Sequence, residues 1–191
     1  MMKQIMVAGI DPSLRNLGTV RALIDPITRR VEVVGMTLYT TESRDKKTVR
    51  KNSDDLRRAR ELRSGIDRAC VNCSVAMVEV PVGSQSARAS WGLGIAVGVL
   101  ASCPVPMIEV TPTEVKLATV GSKTASKEDM ILWAMERHPN APWIRRKMKG
   151  KEVITNANEH LADALGTIYA GLHTETFQMV CAVRGAAEVA A

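Results

Sequence analysis

Asp11, Glu79, His160 and Asp163 are the residues of this chain whose types and settings could do chemistry together. Asp11 ends the short apolar run that carries Ile5, Val7 and Ile10, and Pro12, Ser13 and Gly18 follow it. Glu79 ends a similar run with Val75, Met77 and Val78, and Pro81 and Gly83 lie beyond. Both runs read as buried strands, so two carboxylates are expected at strand ends. In NANEHLADALGTIYAGL the spacing is helical, and His160 and Asp163, three positions apart, share a face. Oxygen and nitrogen donors converging from two strand ends and a helix suit Mg²⁺, with Mn²⁺ as a substitute. A pair of such ions can activate water and stabilise a leaving oxygen. Any one of these acids alone would read as a turn former or a helix cap. The combination is what points to a metal site.

Positioning that site requires a particular order of elements. After the first strand, TVRALIDPITRRVEVVGMTLY reads as a hairpin turned at Pro26, so three antiparallel strands open the fold. A polar loop follows, and Ser53 or Asp54 is expected to cap a helix whose Leu56, Ala59, Leu62 and Ile66 form its apolar face opposite an arginine-rich one. The strand to Glu79 leads into SARASWGLGIAVGVLA, a helix-length run in which Gly92, Gly94 and Gly98 recur. Each glycine costs a helix roughly 1 kcal/mol against alanine, so their repetition implies close backbone approach, as tight packing against the sheet would require. MIEV is a further strand; Thr111, Pro112 and Glu114 start a helix before Lys116, and Ser126 caps SKEDMILWAMERH. HPNAPWIRRKMKGKEVITNAN is a basic insertion between helices, and the terminal GAAEVAA reads as a frayed tail. The order βββαβαβα followed by helices predicts an α/β protein, a mixed sheet with helices on both faces.

The 191 residues, 46% apolar and 24% charged, suit one soluble domain spanning 1–191. A formal charge of +6 with a pI near 9.4 suits a polyanionic partner. Basic residues cluster at Arg44, Lys46 and Lys47, at Arg50 and Lys51, through Arg57, Arg58, Arg60 and Arg63, and again from Arg145 to Lys151. No apolar stretch is long enough for a membrane span, and MMKQIMVAGID reaches an acid too early for a secretion signal, so a cytoplasmic protein without membrane association is expected. Cys70 and Cys73 form one close pair with no second pair to complete a zinc site, which leaves Cys103 and Cys181 with them as reduced thiols.

These residues resemble the RuvC-type Holliday-junction resolvases of the ribonuclease H-like nuclease superfamily. Gly9-Ile10-Asp11-Pro12 with Arg15 and Gly18 is similar to the family's opening strand and turn, and Glu79 to its second acid. Val115-Lys116 through Gly121 to Lys127 is similar to its basic segment, and His160-Leu161-Ala162-Asp163-Ala164-Leu165 to its last metal-binding helix. The resemblance implies a ribonuclease H-like fold with a five-stranded mixed sheet. It further implies a Mg²⁺-dependent endonuclease that cuts four-way junctions or other branched DNA as a homodimer, leaving 5′-phosphate and 3′-hydroxyl ends. On the same footing Asp11, Glu79, Asp163 and His160 are the metal residues for a pair of ions, while Lys116 and Lys127 stand near the scissile phosphate to offset developing charge. Glu159 is an extra acid. Shortly after the second acid, where family members often carry an aromatic residue, this chain has Pro81 and Val82. Two other classes compete with this reading. A catalytically silent DNA-binding protein could keep the fold. An actin-like ATPase could use Gly9 to Gly18 as a phosphate cradle, but that fold needs two such domains and the chain is too short for it.

Overall fold

The computed structural model describes residues 4–45, 47–83 and 86–189. Lys46 of the first basic cluster and the last two residues of the expected tail lie outside the described residues. Strands β1 (Ile5–Pro12), β2 (Asn16–Ile24) and β3 (Val31–Thr40) form the expected antiparallel meander. The turn between β2 and β3 is held by Asp25, whose carboxylate accepts the Ile27 and Thr28 N–H groups at 2.9 and 2.8 Å. Strands β4 (Val75–Glu79) and β5 (Met107–Val110) continue the sheet in parallel with β1, giving five strands in the order β3-β2-β1-β4-β5.

Helices cover both faces, because β1 and β4 are apolar at every position before their terminal acids and bury both sides. Leu62 and Ile66 of α1 (Lys51–Ala69), with Val99 and Leu100 of α2 (Ala87–Leu100), pack on Ala8, Ile10, Ala76 and Val78. The other face carries α3 (Pro112–Thr119), α4 (Lys127–Arg137), α5 (Asn158–Gly171) and α6 (Glu175–Val189) over Ile5, Val7, Val75 and Met77. Thr111 and Ser126 close capping boxes with Glu114 and Asp129, so α3 and α4 begin where their sequences place them. Among the described residues no helix is long and apolar enough to cross a membrane.

Three expectations are corrected, and one segment without an expected element proves to have one. Helix α1 starts at Lys51, before Ser53 and Asp54, and its N-cap residue Arg50 makes no side-chain cap bond. Asp54 is drawn instead to Arg57, whose Nη2 donates at 2.7 Å, and to the Arg44 N–H at 3.2 Å. Leu56 is 53% exposed while Arg58 is buried, because the buried Asp55 carboxylate pairs with Arg58 and also takes Arg88 and the Trp91 indole N–H from the exposed side, tying α1 to α2. The basic insertion forms a two-stranded antiparallel ribbon, β6 (Arg145–Met148) and β7 (Lys151–Ile154). Its turn is set by Lys149 and Gly150, both at positive φ, the pairing that favours tight two-residue hairpins. The tail is helical through Val189, since its alanines and Glu188 favour extension of α6.

Candidate functional site

Strand alternation aims the first two acids. Ile5 and Val7 of β1 and Val75 and Met77 of β4 face α5, so Asp11 and Glu79, in the same alternating phase, face it too. The parallel register pairs Ile10 with Val78, which makes Asp11 and Glu79 the next neighbours at one end of the sheet. Helix α5 is held across this end by Leu161, Leu165 and Ile168, each fully buried and each worth about 1.5–3 kcal/mol. Its close approach depends on two glycines. A Cβ on Gly18 would overlap the His160 carbonyl oxygen, and one on Gly9 would overlap that of Ala164. The helix therefore delivers His160 and Asp163 to the strand ends.

The residues so assembled are electrostatically coupled. Burial pushes Glu79 up to about 8, and the charges of Asp11 and Asp163 push the same way against Lys116. Burial likewise pushes Asp163 up to about 7, with Asp11 and Glu159 reinforcing it and His160 and Lys116 opposing it. Lys116 of α3 thus lies within reach of two of the acids. Lys127, the first residue of α4, donates to Glu159 at 2.8 Å, and that contact raises the lysine's pKa. All six residues expected at the site are brought to this end of the sheet, with Glu159 beside them.

His160 is engaged on both ring nitrogens. Its Nδ1 pairs with Asp11 Oδ2 at 2.9 Å, and its Nε2 with the Asn16 side-chain nitrogen at 2.9 Å. The Thr40 hydroxyl donates to the Asn16 oxygen at 3.3 Å, which leaves the amide N–H for Nε2 and makes Nδ1–H the donor to Asp11. Burial alone would lower the pKa of this imidazole, but the Asp11 contact and the charges of Glu159 and Asp163 prevail and raise it. Sequence reasoning missed Asn16. It also missed Asn158, fully buried at the start of α5, whose amide accepts the Ile144 N–H at 2.9 Å and donates to the Ile144 and Thr155 carbonyls at 2.8 and 2.9 Å. An asparagine two residues before His160 was the available signal for a helix-start anchor.

Among the described residues no group of three or more His, Cys, Asp or Glu side chains stands as a ready-made metal cage. The coupling of the acids and the lack of a cage are compatible: like charges raise each other's pKa without sharing a centre, and His160 already spends both nitrogens. What fits a hard divalent ion is the donor chemistry, carboxylate oxygens held half-buried with too little positive charge around them. Two grooves of about 590 and 640 Å³ lie elsewhere, both lined by Arg29, Arg137 and Tyr169. The acids instead occupy an open end of the sheet.

The sequence matches no protein-family model. A search of curated proteins likewise finds no match. Solved structures do match. RuvC of Thermus thermophilus superposes with a TM-score of 0.61 over 92% of this chain and 96% of that chain, at 19% identity. T. thermophilus RuvC in complex with a Holliday junction substrate gives 0.62 over the same shares, at 17% identity. With its five-stranded mixed sheet covered by helices on both faces and this superposition over nearly the whole chain, the protein has the RuvC-type, ribonuclease H-like fold.

Proposed function

We propose that this protein is a divalent-metal-dependent endonuclease that resolves Holliday junctions or related branched DNA, working as a homodimer so that two sites cut opposed strands. The observation that carries the reading is the convergence of Asp11, Glu79 and Asp163 from two adjacent strand ends and α5, with Lys116 in electrostatic reach. Asp11, Glu79 and Asp163 would hold Mg²⁺ or Mn²⁺, with His160 orienting Asp11 or joining the ligands. Bound there, a pair of ions supplies activation of water and stabilisation of the leaving oxygen. Lys116 and Lys127 offset charge that builds on the phosphate, and Glu159 holds the Lys127 ammonium in place until DNA arrives. The fold shared with a RuvC structure that contains a Holliday junction substrate supports branched DNA as the substrate class.

Dimerisation is supported by α2. A Cβ added at Gly94 or Gly98 would meet nothing within 4 Å, so these glycines do not serve packing inside the subunit. Trp91 and Val97 are exposed on the same helix. The test of the whole reading is a labelled panel of four-way, three-way, flap, duplex and hybrid substrates with Mg²⁺ or Mn²⁺. Paired cuts in the four-way junction are expected, lost in Asp11→Asn although junction binding persists, because phosphate contacts dominate affinity. Binding without divalent-dependent cutting by the unaltered chain would leave a silent DNA-binding protein.

A further inference from the structure

The β6–β7 ribbon has two chemically different faces. In the antiparallel register Arg145 lies opposite Ile154, Arg146 opposite Val153, Lys147 opposite Glu152, and Met148 opposite Lys151. Directly opposed residues share a face and successive ones alternate. One face therefore carries Arg145, Lys147, Glu152 and Ile154. At its root Ile154 is partly buried against the core cluster, and Glu152, directly opposite Lys147, offsets part of its charge. The other face carries Arg146, Met148, Lys151 and Val153 with no acid, and its apolar members are 44% and 39% exposed.

An exposed ribbon with uncompensated cations and solvent-facing apolar side chains needs a partner that is anionic and also offers apolar surface. The DNA major groove does both, presenting phosphates at its rims and thymine methyl groups on its floor, and it admits a two-stranded ribbon. We propose that β6–β7 is a DNA-binding arm that enters the major groove of one duplex arm of the substrate, with Arg146 and Lys151 on phosphates and Met148 and Val153 toward the base edges. This rests on the nuclease reading and extends it to a second contact on the same DNA. The arm's root ties the two contacts together. Asn158 clamps Ile144 and Thr155, the residues flanking the ribbon, and is followed directly by Glu159 and His160 of the acid cluster. A ribbon seated in the groove thereby fixes the duplex relative to α5.

The test is junction binding by the full-length chain in Ca²⁺, measured by fluorescence anisotropy against salt. Each phosphate contact contributes about 0.9 to the slope of log K against log salt. Arg146→Ala/Lys151→Ala should make the slope shallower by about 2 and weaken low-salt binding by tens-fold. DNA whose major groove is filled by glucosylated hydroxymethylcytosine should weaken binding of the unaltered chain, and should affect the double variant much less. Equal slopes, or indifference of the unaltered chain to the filled groove, would overturn the arm. A fall in sedimenting mass of the DNA-free double variant would also overturn it, assigning the face to a second copy of the chain. Failure of the unaltered chain to bind any branched DNA would instead count against the nuclease reading. The ribbon residues are exposed, so an unchanged thermal midpoint of the double variant separates lost contact from lost folding.

Discussion

At the scale of residues, the site is a conflict between burial and charge. Glu79 at about 8 and Asp163 at about 7 bind protons more readily in the folded chain than in the unfolded one. Their contribution to stability is full below about pH 4 and is lost as pH rises through 7 to 8. In chelator, the urea midpoint of the unaltered chain should therefore fall more between pH 5.5 and 8.5 than that of Glu79→Gln. Equal falls would mean that Glu79 ionises in the fold without cost. The same substitution should abolish cutting, since an amide cannot replace the carboxylate charge. His160 poses a separate question, because its ring bridges Asp11 and Asn16. Loss of a residue that orients a ligand commonly costs 10- to 100-fold. His160→Ala should lower cutting by about that factor, and His160→Asp should retain more and shift preference from Mn²⁺ toward Mg²⁺. Unchanged rates of His160→Ala in both ions would make it an ordinary helix-face histidine.

At the scale of elements, function depends on how closely α5 lies against β1 and β2. The closeness is not a product of large side chains alone, because Gly9 and Gly18 leave room for two helix carbonyls. Gly18→Ala must displace the first turn of α5 where it carries His160, at a cost of about 1–3 kcal/mol typical of overpacking. The expected outcome is a lower melting temperature together with a loss of cutting larger than the loss of junction affinity. A variant that melts lower but cuts normally would show that the site tolerates movement of the helix. Gly98 on α2 offers the contrast, a glycine with open space around it.

At the scale of the whole molecule, that open space is where a second subunit would sit. Gly98→Arg should leave the melting transition of the chain nearly intact and halve the mass seen in sedimentation. Paired cuts in a four-way junction should then become single nicks. A variant that sediments as the unaltered chain does would move the subunit interface away from α2. The basic balance of the chain acts at the same scale, since a charge of +6 attracts a polyanion to all faces, and the proposed contacts at the ribbon and the acid-bearing end would set its orientation.

The sequence by itself determined the elements whose signals are local. Apolar runs ending in Asp11 and Glu79, the turn around Pro26, and the capping residues Thr111 and Ser126 each carry their own physical cause, and each formed where expected. It also named the acids and lysines that meet at the sheet end. Tertiary structure decided what depends on partners distant in sequence. Asp54 abandoned a cap because Arg44 and Arg57 were nearer, and Arg58 went inside because Asp55 was waiting there. The basic insertion became a ribbon because Asn158 closes its base, and Asn16 found its role only through a histidine 144 residues away. Local propensity acts over a few residues, whereas the pairing of buried polar groups is settled only when the chain has closed around them.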